Sequence, residues 1–442
     1  MALLRKLLWI VIYLISTGKD CILKDSRSVS RGWAAKIVII AVLGMTGLAA
    51  AYRSGKGEAV ANPLPGVAIA HSPAKTRRYI GSPSLAILPG GSYVASHDFF
   101  GPGNGGARTV VYESGDKGVS WKQIAVVKRQ FWSSLFVHQG DLYLMGTTGG
   151  ISSLVIRRSK DGGRTWTTPK DATSGLLLPE NHYHCAPVPL VIHAGRIWRA
   201  AEEYLGKDQR RRIFRAFVMS APVDADLLLA ESWTCSSRVD GNFAWLGGYF
   251  GSWLEGNAVV QRDGTLADVL RVNVWPGSKF TLWPRAKVDD ASTREKAAIL
   301  SLDREGKVLS FDPARDFIDF PGGGKKFTIR FDPKSGLYWS LANQVLKEHR
   351  SDNPERVRNT LSLISSPNLR EWTVRSVILH HADTRRHAFQ YVDWQFEGSD
   401  IILVSRTAYD DGEGGAKSQH DANYLTFHRV ADFRALSAAE MH

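Results

Sequence analysis

Cysteine is scarce in this sequence, with 3 among 442 residues. That number is too small for the disulfide framework that stabilises many small secreted domains. The sequence also lacks a P-loop, a GxGxxG motif after a predicted strand and a Cys-x-x-Cys pair, so the common nucleotide and redox-cofactor sites are excluded. We therefore expect a functional site made of side chains alone, with no cofactor and no metal.

Helical periodicity is nearly absent from the body of the chain. No βαβ alternation follows residue 76, and outside a short stretch at 341–349 no amphipathic helical pattern persists for three turns. Hydrophobic residues nevertheless make up 44% of the sequence and aromatic residues 10%. Such a chain can bury a large core, so global disorder is excluded and an all-β fold is predicted.

The charge is unbalanced towards the basic side. Lys and Arg exceed Asp and Glu by 13, and part of this excess lies in the N-terminal tail. The mild excess that remains in the body suits an anionic ligand but does not by itself indicate nucleic acid. We expect no nucleic-acid partner.

The N-terminal segment has the layout of an export signal. Two apolar stretches, 7–15 and 37–51, each follow basic residues, and the second ends in small residues. This pattern predicts a signal peptide or a membrane anchor over residues 1–52. Residues 53–75, rich in Gly, Pro, Ala and Lys, are predicted to be a linker to a single domain at 76–442. No later stretch is long enough to span a bilayer, so we expect the protein to be exported: periplasmic, extracellular, or anchored and facing outside.

One unit recurs along the body: a β-rich run, a tight turn that contains Gly, and a second β-rich run. Such turns need positive φ, which Gly supplies at little cost. Repeats of this size are typical of propellers and solenoids, and the uneven spacing favours a ring. The sequence predicts a six-bladed β-propeller of four-stranded antiparallel sheets, with seven blades as the alternative. The seven turns lie at Gly90–Gly91, Gln139–Gly140, Ala194–Gly195, Asp263–Gly264, Glu305–Gly306, Ser335–Gly336 and Glu397–Gly398.

A second repeat has the pattern S-x-D-x-G-x-[ST]-W. Clear copies lie at 114–121 and 159–166, and a weaker copy ends the stretch 366–372. The Asp side chain can accept hydrogen bonds from its own turn, and the Trp can pack between strands. The pattern resembles the Asp boxes of the sialidase (neuraminidase) superfamily, a resemblance that covers roughly residues 76–432 and implies a β-propeller.

The same resemblance implies a catalytic set. In that superfamily a Tyr is the nucleophile, an adjacent Glu takes its proton and an Asp is the acid/base, an exception among glycosidases. Tyr391 matches the nucleophile at the start of a late hairpin. Glu255, which precedes another hairpin, matches its partner, and Asp98, at the end of the first hairpin, is the best match to the acid/base.

The superfamily holds the carboxylate of its substrate with three arginines, because planar guanidinium groups pair with a carboxylate through two hydrogen bonds. Arg271 and Arg358 match two of these positions. At the first position this sequence departs from the pattern, because Gly81 stands where the arginine should be. Arg78, three residues earlier, is the candidate substitute.

Histidine clusters are not explained by this resemblance. His182 and His184 open a hairpin that continues through Arg199, and all three are candidates to bind substrate. Imidazole, phenol and guanidinium groups also suit a lyase that cleaves uronic-acid polysaccharides by β-elimination. A second cluster near the C-terminus contains His380, His381, His387, Arg406, His420, Asp421, Asn423 and Tyr424.

Two cysteines lie in the predicted domain, Cys185 and Cys235. They could form a disulfide in an oxidising compartment, join a nearby His around a structural zinc, or remain free thiols.

Taken together, the sequence predicts an exported, monomeric carbohydrate-active enzyme whose partner is an acidic glycan or polysaccharide. The first hypothesis is a sialidase-like glycoside hydrolase that releases a terminal acidic sugar. The alternatives are a propeller polysaccharide lyase that acts on uronic-acid polymers and a non-catalytic glycan-binding propeller.

Overall fold

The computed structural model describes residues 63–208, 211–274, 295–350 and 352–436. These residues belong to one compact unit, Asn62–His442. The predicted signal or anchor at 1–52 lies outside the described residues, as does the first part of the predicted linker. No helix in the described part of the chain is long and apolar enough to cross a membrane.

The described residues form 27 β-strands and a few short 3-10 helices, which confirms the all-β prediction. The strands of the first half are β1 (Val67–His71), β2 (Tyr79–Ile80), β3 (Ser84–Ile87), β4 (Tyr93–Phe100), β5 (Arg108–Ser114), β6 (Lys122–Lys128), β7 (Phe131–His138), β8 (Asp141–Thr147), β9 (Ser152–Ser159), β10 (Leu176–His184), β11 (Val191–His193), β12 (Arg196–Asp208), β13 (Arg211–Pro222), β14 (Thr234–Cys235) and β15 (Val239–Asp240). Those of the second half are β16 (Phe250–Val260), β17 (Leu266–Val274), β18 (Lys296–Leu302), β19 (Leu309–Ser310), β20 (Phe317–Asp319), β21 (Thr328–Asp332), β22 (Leu337–Ala342), β23 (Thr360–Ser366), β24 (Thr373–His380), β25 (Ala388–Glu397), β26 (Asp400–Ala408) and β27 (Tyr424–Val430). The 3-10 helices include Ala74–Thr76, Ala230–Ser232, Trp245–Gly248, Lys347–His349, Pro354–Arg356 and Phe433–Ala435.

The strands assemble into small antiparallel sheets in a propeller-like arrangement. β2 to β6 form the first sheet, β7 to β15 the second, β16 to β20 the third and β21 to β24 the fourth. β25, β26 and β27 form the fifth sheet together with β1. The prediction of six separate four-stranded sheets is therefore not met as stated. Five sheets are present among the described residues, and two of them have four strands.

The seven predicted hairpins are all confirmed. Each Gly-containing turn joins two strands that pair directly and run antiparallel. The last Gly of each turn has a positive φ, between 63° and 86°. A side chain at these positions would be strained, so the turn residues fix where each hairpin reverses.

The first strand completes the last sheet. β1 pairs with β27 through partners such as Val67 and Phe427. This strand lies within the stretch 53–75, which the sequence suggested was a linker, and a 3-10 helix at Ala74–Thr76 begins there. The apolar run of β1 adds the outermost strand of the fifth sheet, and so ties the start of the domain to its end.

The two Asp-box turns connect β5 to β6 and β9 to β10, and they have the same hydrogen bonds. Asp161 accepts from the backbone N–H of Thr165 at 2.9 Å and from the hydroxyl of Ser159 at 2.8 Å. Asp116 does the same with Ser120 and Ser114, and the weaker copy uses Asn368 in the turn from β23 to β24. These side chains hold turns and lie outside the cavity described below.

The hydrophobic core lies between neighbouring sheets. Trp198 and Phe214 of the second sheet pack with Trp253 and Leu270 of the third. Trp253, like Trp339 and Trp394 further along the chain, is fully buried. Packing of this kind between adjacent sheets positions the strands that line the cavity.

Candidate functional site

A cavity of about 600 Å³ is lined by residues of the first, second, third and fifth sheets and of the connection between β22 and β23 in the fourth. Its charged lining residues are Asp98, Lys207, Arg212, Glu255, Arg271, Glu355, Arg356, Arg358 and Arg406. Its aromatic and imidazole lining residues are Phe100, Phe131, Trp132, His184, Phe214, Tyr391 and His420. Six cationic side chains face three carboxylates, so the cavity suits an anionic ligand.

Glu255, Arg271 and Tyr391 form the centre of this cavity. A guanidinium nitrogen of Arg271 donates to a carboxylate oxygen of Glu255 at 2.8 Å and lies 3.4 Å from the hydroxyl of Tyr391. Burial alone would raise the pKa of Glu255. Arg271, His184 and hydrogen bonds from Arg271 and Tyr391 outweigh burial, so the pKa is lowered and Glu255 is ionised.

Two further arginines flank the ring of Tyr391. The guanidinium carbon of Arg406 lies 4.9 Å from the ring centroid and that of Arg358 lies 5.7 Å from it. Arg358 donates to the side chain of Gln390 and, at 2.9 Å, to the carbonyl of Glu355. The three arginines are therefore oriented around one phenol, although they come from different strands and loops.

The electrostatics of these arginines suit an anion-binding site. Burial, together with the neighbouring cations Arg271 and Arg406, lowers the pKa of Arg358 to about 10, although Tyr391 opposes the shift. Burial likewise lowers the pKa of Arg406. Cations that destabilise one another in a buried place can be stabilised by an anion between them.

Asp98 lies on β4 and reaches the second sheet. Its carboxylate accepts from the backbone N–H of Ser82 at 2.9 Å and from that of Trp132 at 2.6 Å. Burial raises the pKa of Asp98 to about 6, although these N–H groups and Arg406 oppose the shift. A carboxyl group with this pKa can exchange a proton in mildly acidic solution.

Gly81 has a structural reason in this fold. Its backbone N–H donates to the carbonyl of Asp98 at 2.7 Å. A Cβ at position 81 would lie 1.6 Å from a carboxylate oxygen of Asp98, far closer than two non-bonded atoms can approach. The position that the family resemblance reserves for an arginine is thus closed to any side chain, and Arg406 is the third arginine beside Tyr391.

Three cavity residues share an unusual backbone geometry. Trp132, Glu255 and Tyr391 have positive φ angles of 46°, 60° and 55°. Each lies where the pairing register of its strand shifts, in β7, β16 and β25 respectively. Bulges of this kind re-aim a side chain, and strained backbone of this kind is frequent at functional sites.

The bulges also free backbone donors for carboxylates. The backbone N–H of Trp132 donates to the carboxylate of Asp98, and that of Gly256 donates to the carboxylate of Glu202 at 3.0 Å. The other oxygen of Glu202 lies 2.7 Å from Nδ1 of His184, whose ring packs against Trp132 at 4.5 Å. Glu202 therefore orients His184 at the cavity wall.

Three of the predicted binding residues lie outside the cavity lining. Arg78 packs over the ring of Phe99, with 4.5 Å between guanidinium carbon and centroid. His182 faces Glu203 at 3.1 Å. Arg199 is fully buried and donates to the Ala186 carbonyl at 2.9 Å. These contacts hold the three side chains outside the cavity lining. The structure brings together the other six: Asp98, His184, Glu255, Arg271, Arg358 and Tyr391.

Of the remaining histidines and cysteines, His420 and Cys185 line the cavity. His381 stacks on His387 with 3.5 Å between ring centroids, outside the cavity lining. Cys185 and Cys235 are free. Burial raises the pKa of the Cys185 thiol, which donates to the Trp132 carbonyl. In the described part of the chain, no group of three or more His, Cys, Asp or Glu side chains is arranged to hold a metal.

Sequence reasoning did not assign Trp132, Glu355 or Arg406 to the site. Hairpin register gives a signal for Arg406, since Gln390 of β25 pairs with Arg406 of β26 and Tyr391 is next in the chain. Counting back from the turn at Glu397–Gly398 places an arginine beside the predicted nucleophile. Trp132 lies at a bulge in β7. No glycine marks this bulge, so the sequence does not indicate that Trp132 lines the cavity.

Solved structures with similar folds include several glycosidases. The Hadza microbial sialidase Hz136 has a TM-score of 0.54 and 12% identity over 83% of this chain and 68% of its own. The leech intramolecular trans-sialidase has a TM-score of 0.50 and 11% identity over 83% and 70%. The GH93 α-L-arabinofuranosidase of Fusarium graminearum has a TM-score of 0.50 and 12% identity over 83% and 97%. At these identities the likeness establishes the fold alone.

Sequence comparisons identify no family for this chain. No protein-family model matches the chain. No curated protein matches it either. The case for a function therefore rests on the geometry of the site.

Proposed function

We propose that this chain is a glycoside hydrolase that releases a terminal acidic sugar of the sialic-acid type from glycans. One observation carries the proposal: the hydroxyl of Tyr391 lies beside the Glu255–Arg271 ion pair, and Arg358 and Arg406 flank its ring. A phenol paired with a carboxylate and surrounded by three arginines suits a nucleophile whose substrate is itself anionic.

The three arginines provide the substrate-binding element. Arg271, Arg358 and Arg406 are each about 95% buried, with 5%, 4% and 4% of their surface exposed. Guanidinium groups in such a desolvated setting bind a carboxylate strongly and orient it through paired hydrogen bonds. The sugar carboxylate would sit between them, so that the adjacent anomeric carbon lies over the Tyr391 hydroxyl.

Tyr391 and Glu255 act together in the first step. The Tyr391 hydroxyl donates its proton to the ionised Glu255, and its oxygen forms a bond to the anomeric carbon. The bond between that carbon and the glycosidic oxygen breaks, and Asp98 supplies the proton that the leaving oxygen takes. Because the phenol is neutral before attack, it is not repelled by the substrate carboxylate.

Water completes the reaction in the second step. Asp98, now ionised, accepts a proton from a water molecule, whose oxygen attacks the anomeric carbon. The bond from Tyr391 to the sugar breaks, and the phenolate takes back the proton held by Glu255. The products are the free acidic sugar and the shortened glycan, with the anomeric configuration retained.

A product analysis tests this proposal. The purified protein is incubated with an aryl sialoside, with sialyllactose and with an oligogalacturonate, and products are identified by mass spectrometry. Release of free sialic acid supports the proposal. Absence of any product from both sialosides, in a preparation that is folded by circular dichroism, would contradict it.

A polysaccharide lyase is the second candidate, because the cavity also contains His184, held by Glu202 at 2.7 Å. An imidazole in a fixed orientation could remove the proton next to a uronate carboxylate, with Tyr391 as the acid. Formation of an unsaturated uronate from the oligogalacturonate would favour this candidate. Convergence of Asp98, Glu255 and Tyr391 on one cavity argues against a propeller that only binds glycans.

We also propose that the strands count as six blades. The nine-stranded second sheet divides between β10 and β12, where pairing is limited to Tyr183 with Glu203 and His184 with Glu202. Treating β7 to β10 and β11 to β15 as two blades gives six units. An experimental structure with five separate blades, or seven, would contradict this count.

Export is part of the same proposal. The basic and apolar pattern of residues 1–52 suits an export signal, and export would bring the enzyme to glycans outside the cell. The proposal expects a single folded monomer after export. Fractionation of a bacterial host that expresses the full chain, followed by gel filtration, tests both points; retention in the cytoplasm or a stable oligomer would contradict them.

A further inference from the structure

Two cations at the rim of the cavity face each other across one hairpin. Lys207 of β12 and Arg212 of β13 are directly paired in the antiparallel register. Both side chains are exposed and both line the cavity. Among the described residues, neither makes an ion pair. Like charges directly opposite one another destabilise a hairpin, so an anion bound between Lys207 and Arg212 would stabilise this one.

Two of the three carboxylates of the cavity, those of Asp98 and Glu255, are engaged by other groups. Asp98 accepts from two backbone N–H groups, and Glu255 accepts from Arg271. The arginines assigned to the sugar carboxylate surround Tyr391, whereas Lys207 and Arg212 lie on the hairpin of the second sheet. The two groups of cations are thus on separate elements of the same cavity.

The hairpin face leads from these cations to aromatic side chains. Arg212 and Phe214 are two residues apart on β13 and so share one face of the strand. The ring of Phe214 lies 5.3 Å from that of His184, which packs against Trp132. Apolar ring faces beside cations suit a sugar ring that carries a carboxylate.

We propose that Lys207 and Arg212 form a second anion-binding subsite, which holds the carboxylate of the sugar next to the one released. This inference rests on the proposed function and narrows its substrate class. The preferred substrate is an oligosaccharide with anionic groups on consecutive residues, rather than one acidic sugar on a neutral chain. Polymers of sialic acid and of uronic acid share this chemistry.

The double variant Lys207→Gln/Arg212→Gln tests the subsite, with Lys122→Gln/Lys128→Gln on the exposed face of β6 as the matched control. kcat/KM is measured with a sialic acid trimer and with sialyllactose, whose inner residues are neutral. We expect the trimer to lose about 10-fold more than sialyllactose, since two exposed charge contacts contribute a few-fold each. The difference should largely vanish at about 1 M NaCl, where the Debye length is about 3 Å. The control should leave the ratio of the two substrates unchanged.

Equal losses with both substrates, or none, would overturn the subsite while leaving the proposed hydrolase intact. If wild-type protein hydrolyses neither substrate, the proposed function fails and calorimetric titration decides the subsite. Weaker binding of the trimer or of an oligogalacturonate to the double variant than to the control supports it, and the probe that binds identifies the polymer class. Equal binding to both variants, or binding to neither, overturns it.

Discussion

Glu255 and Tyr391 lie on different sheets, yet both adopt left-handed backbone at a register shift in a strand at one end of their sheet, with φ angles of 60° and 55°. The two bulges direct the carboxylate and the phenol towards Arg271, which contacts both. Left-handed backbone is costly for residues with a side chain, so its repetition at the two proposed catalytic positions suggests that geometry is held there at the expense of stability.

Replacement of Tyr391 by Phe should remove the nucleophile without disturbing the fold. The variant loses one hydroxyl, and turnover of an aryl sialoside should fall by at least about 1,000-fold, as for other catalytic nucleophiles. Steady-state kinetics and thermal unfolding give the two readouts. Tyr338→Phe is the matched control, because its hydroxyl donates to the Val260 carbonyl away from the cavity. Full activity of Tyr391→Phe would refute the assigned role.

Arg406→Lys should weaken substrate binding although the charge is kept. Lysine cannot supply the paired hydrogen bonds of a guanidinium group, so kcat/KM for sialosides should fall by about 10-fold to 100-fold. The matched control is Arg78→Lys, which changes a guanidinium group outside the cavity. A larger loss in Arg78→Lys than in Arg406→Lys would contradict the assignment and favour Arg78 as the substitute arginine.

The pH dependence of activity follows from two carboxyl groups. Burial raises the pKa of Asp98 to about 6, so the protonated acid is lost and kcat/KM should decline as pH rises through about 6. Arg271 and its neighbours outweigh burial and lower the pKa of Glu255. This carboxylate therefore stays ionised at a lower pH than an ordinary glutamate. The optimum should therefore lie on the acidic side of pH 6.

Asp98→Asn checks the origin of the alkaline limb. The variant should lose most activity on sialyllactose but keep a larger share on an aryl sialoside, whose leaving group needs little protonation. Its pH profile with the aryl substrate should lack the decline near pH 6. If activity of this variant still declines near pH 6, another titrating group causes the decline.

Gly81→Ala should impair catalysis by displacing Asp98. The added Cβ would meet the Asp98 carboxylate at 1.6 Å, so the carboxyl group must move from its two N–H donors. We expect kcat on sialyllactose to drop by at least about 10-fold, as when a proton donor is misplaced. Gly90→Ala, at a turn with open space around it, is the control. Wild-type kcat in Gly81→Ala would show that Asp98 is not the acid.

Asp161→Ala should lower stability and leave chemistry unchanged. Hydrogen bonds from Thr165 and Ser159 outweigh burial and lower the pKa of Asp161 to about 2. The stabilisation is therefore present above the unfolded-state pKa of about 4 and is lost as pH falls towards about 2. Thermal unfolding at neutral pH should shift by a few degrees, and the shift should disappear in acid. A loss of kcat with unchanged melting would contradict the structural role.

Local sequence signals predicted the hairpins and part of the site. Glycine turns fixed where each pair of strands reverses, and the hairpin at Asp263–Gly264 brought Glu255 and Arg271 to one end. The signal is local in each case, because a turn residue and a strand register decide it.

Features that depend on distant packing were not predictable in this way. Arg199 lies on a predicted hairpin, but which face of β12 meets the cavity depends on how two sheets pack, and the side chain is buried away from it. The bulge at Trp132 has no glycine to mark it. The first strand was hidden in a stretch with linker composition, since its partner, β27, lies at the other end of the domain.

Trapping the covalent intermediate tests directly whether Tyr391 is the nucleophile. A fluorinated sialoside with an activated leaving group slows the second step, so a sugar attached to the nucleophile accumulates and peptide mass spectrometry locates it. We expect an adduct on Tyr391 in the wild-type protein and none in Tyr391→Phe. Hydrolysis of sialosides with the adduct on another residue, or turnover with no adduct at all, would contradict it.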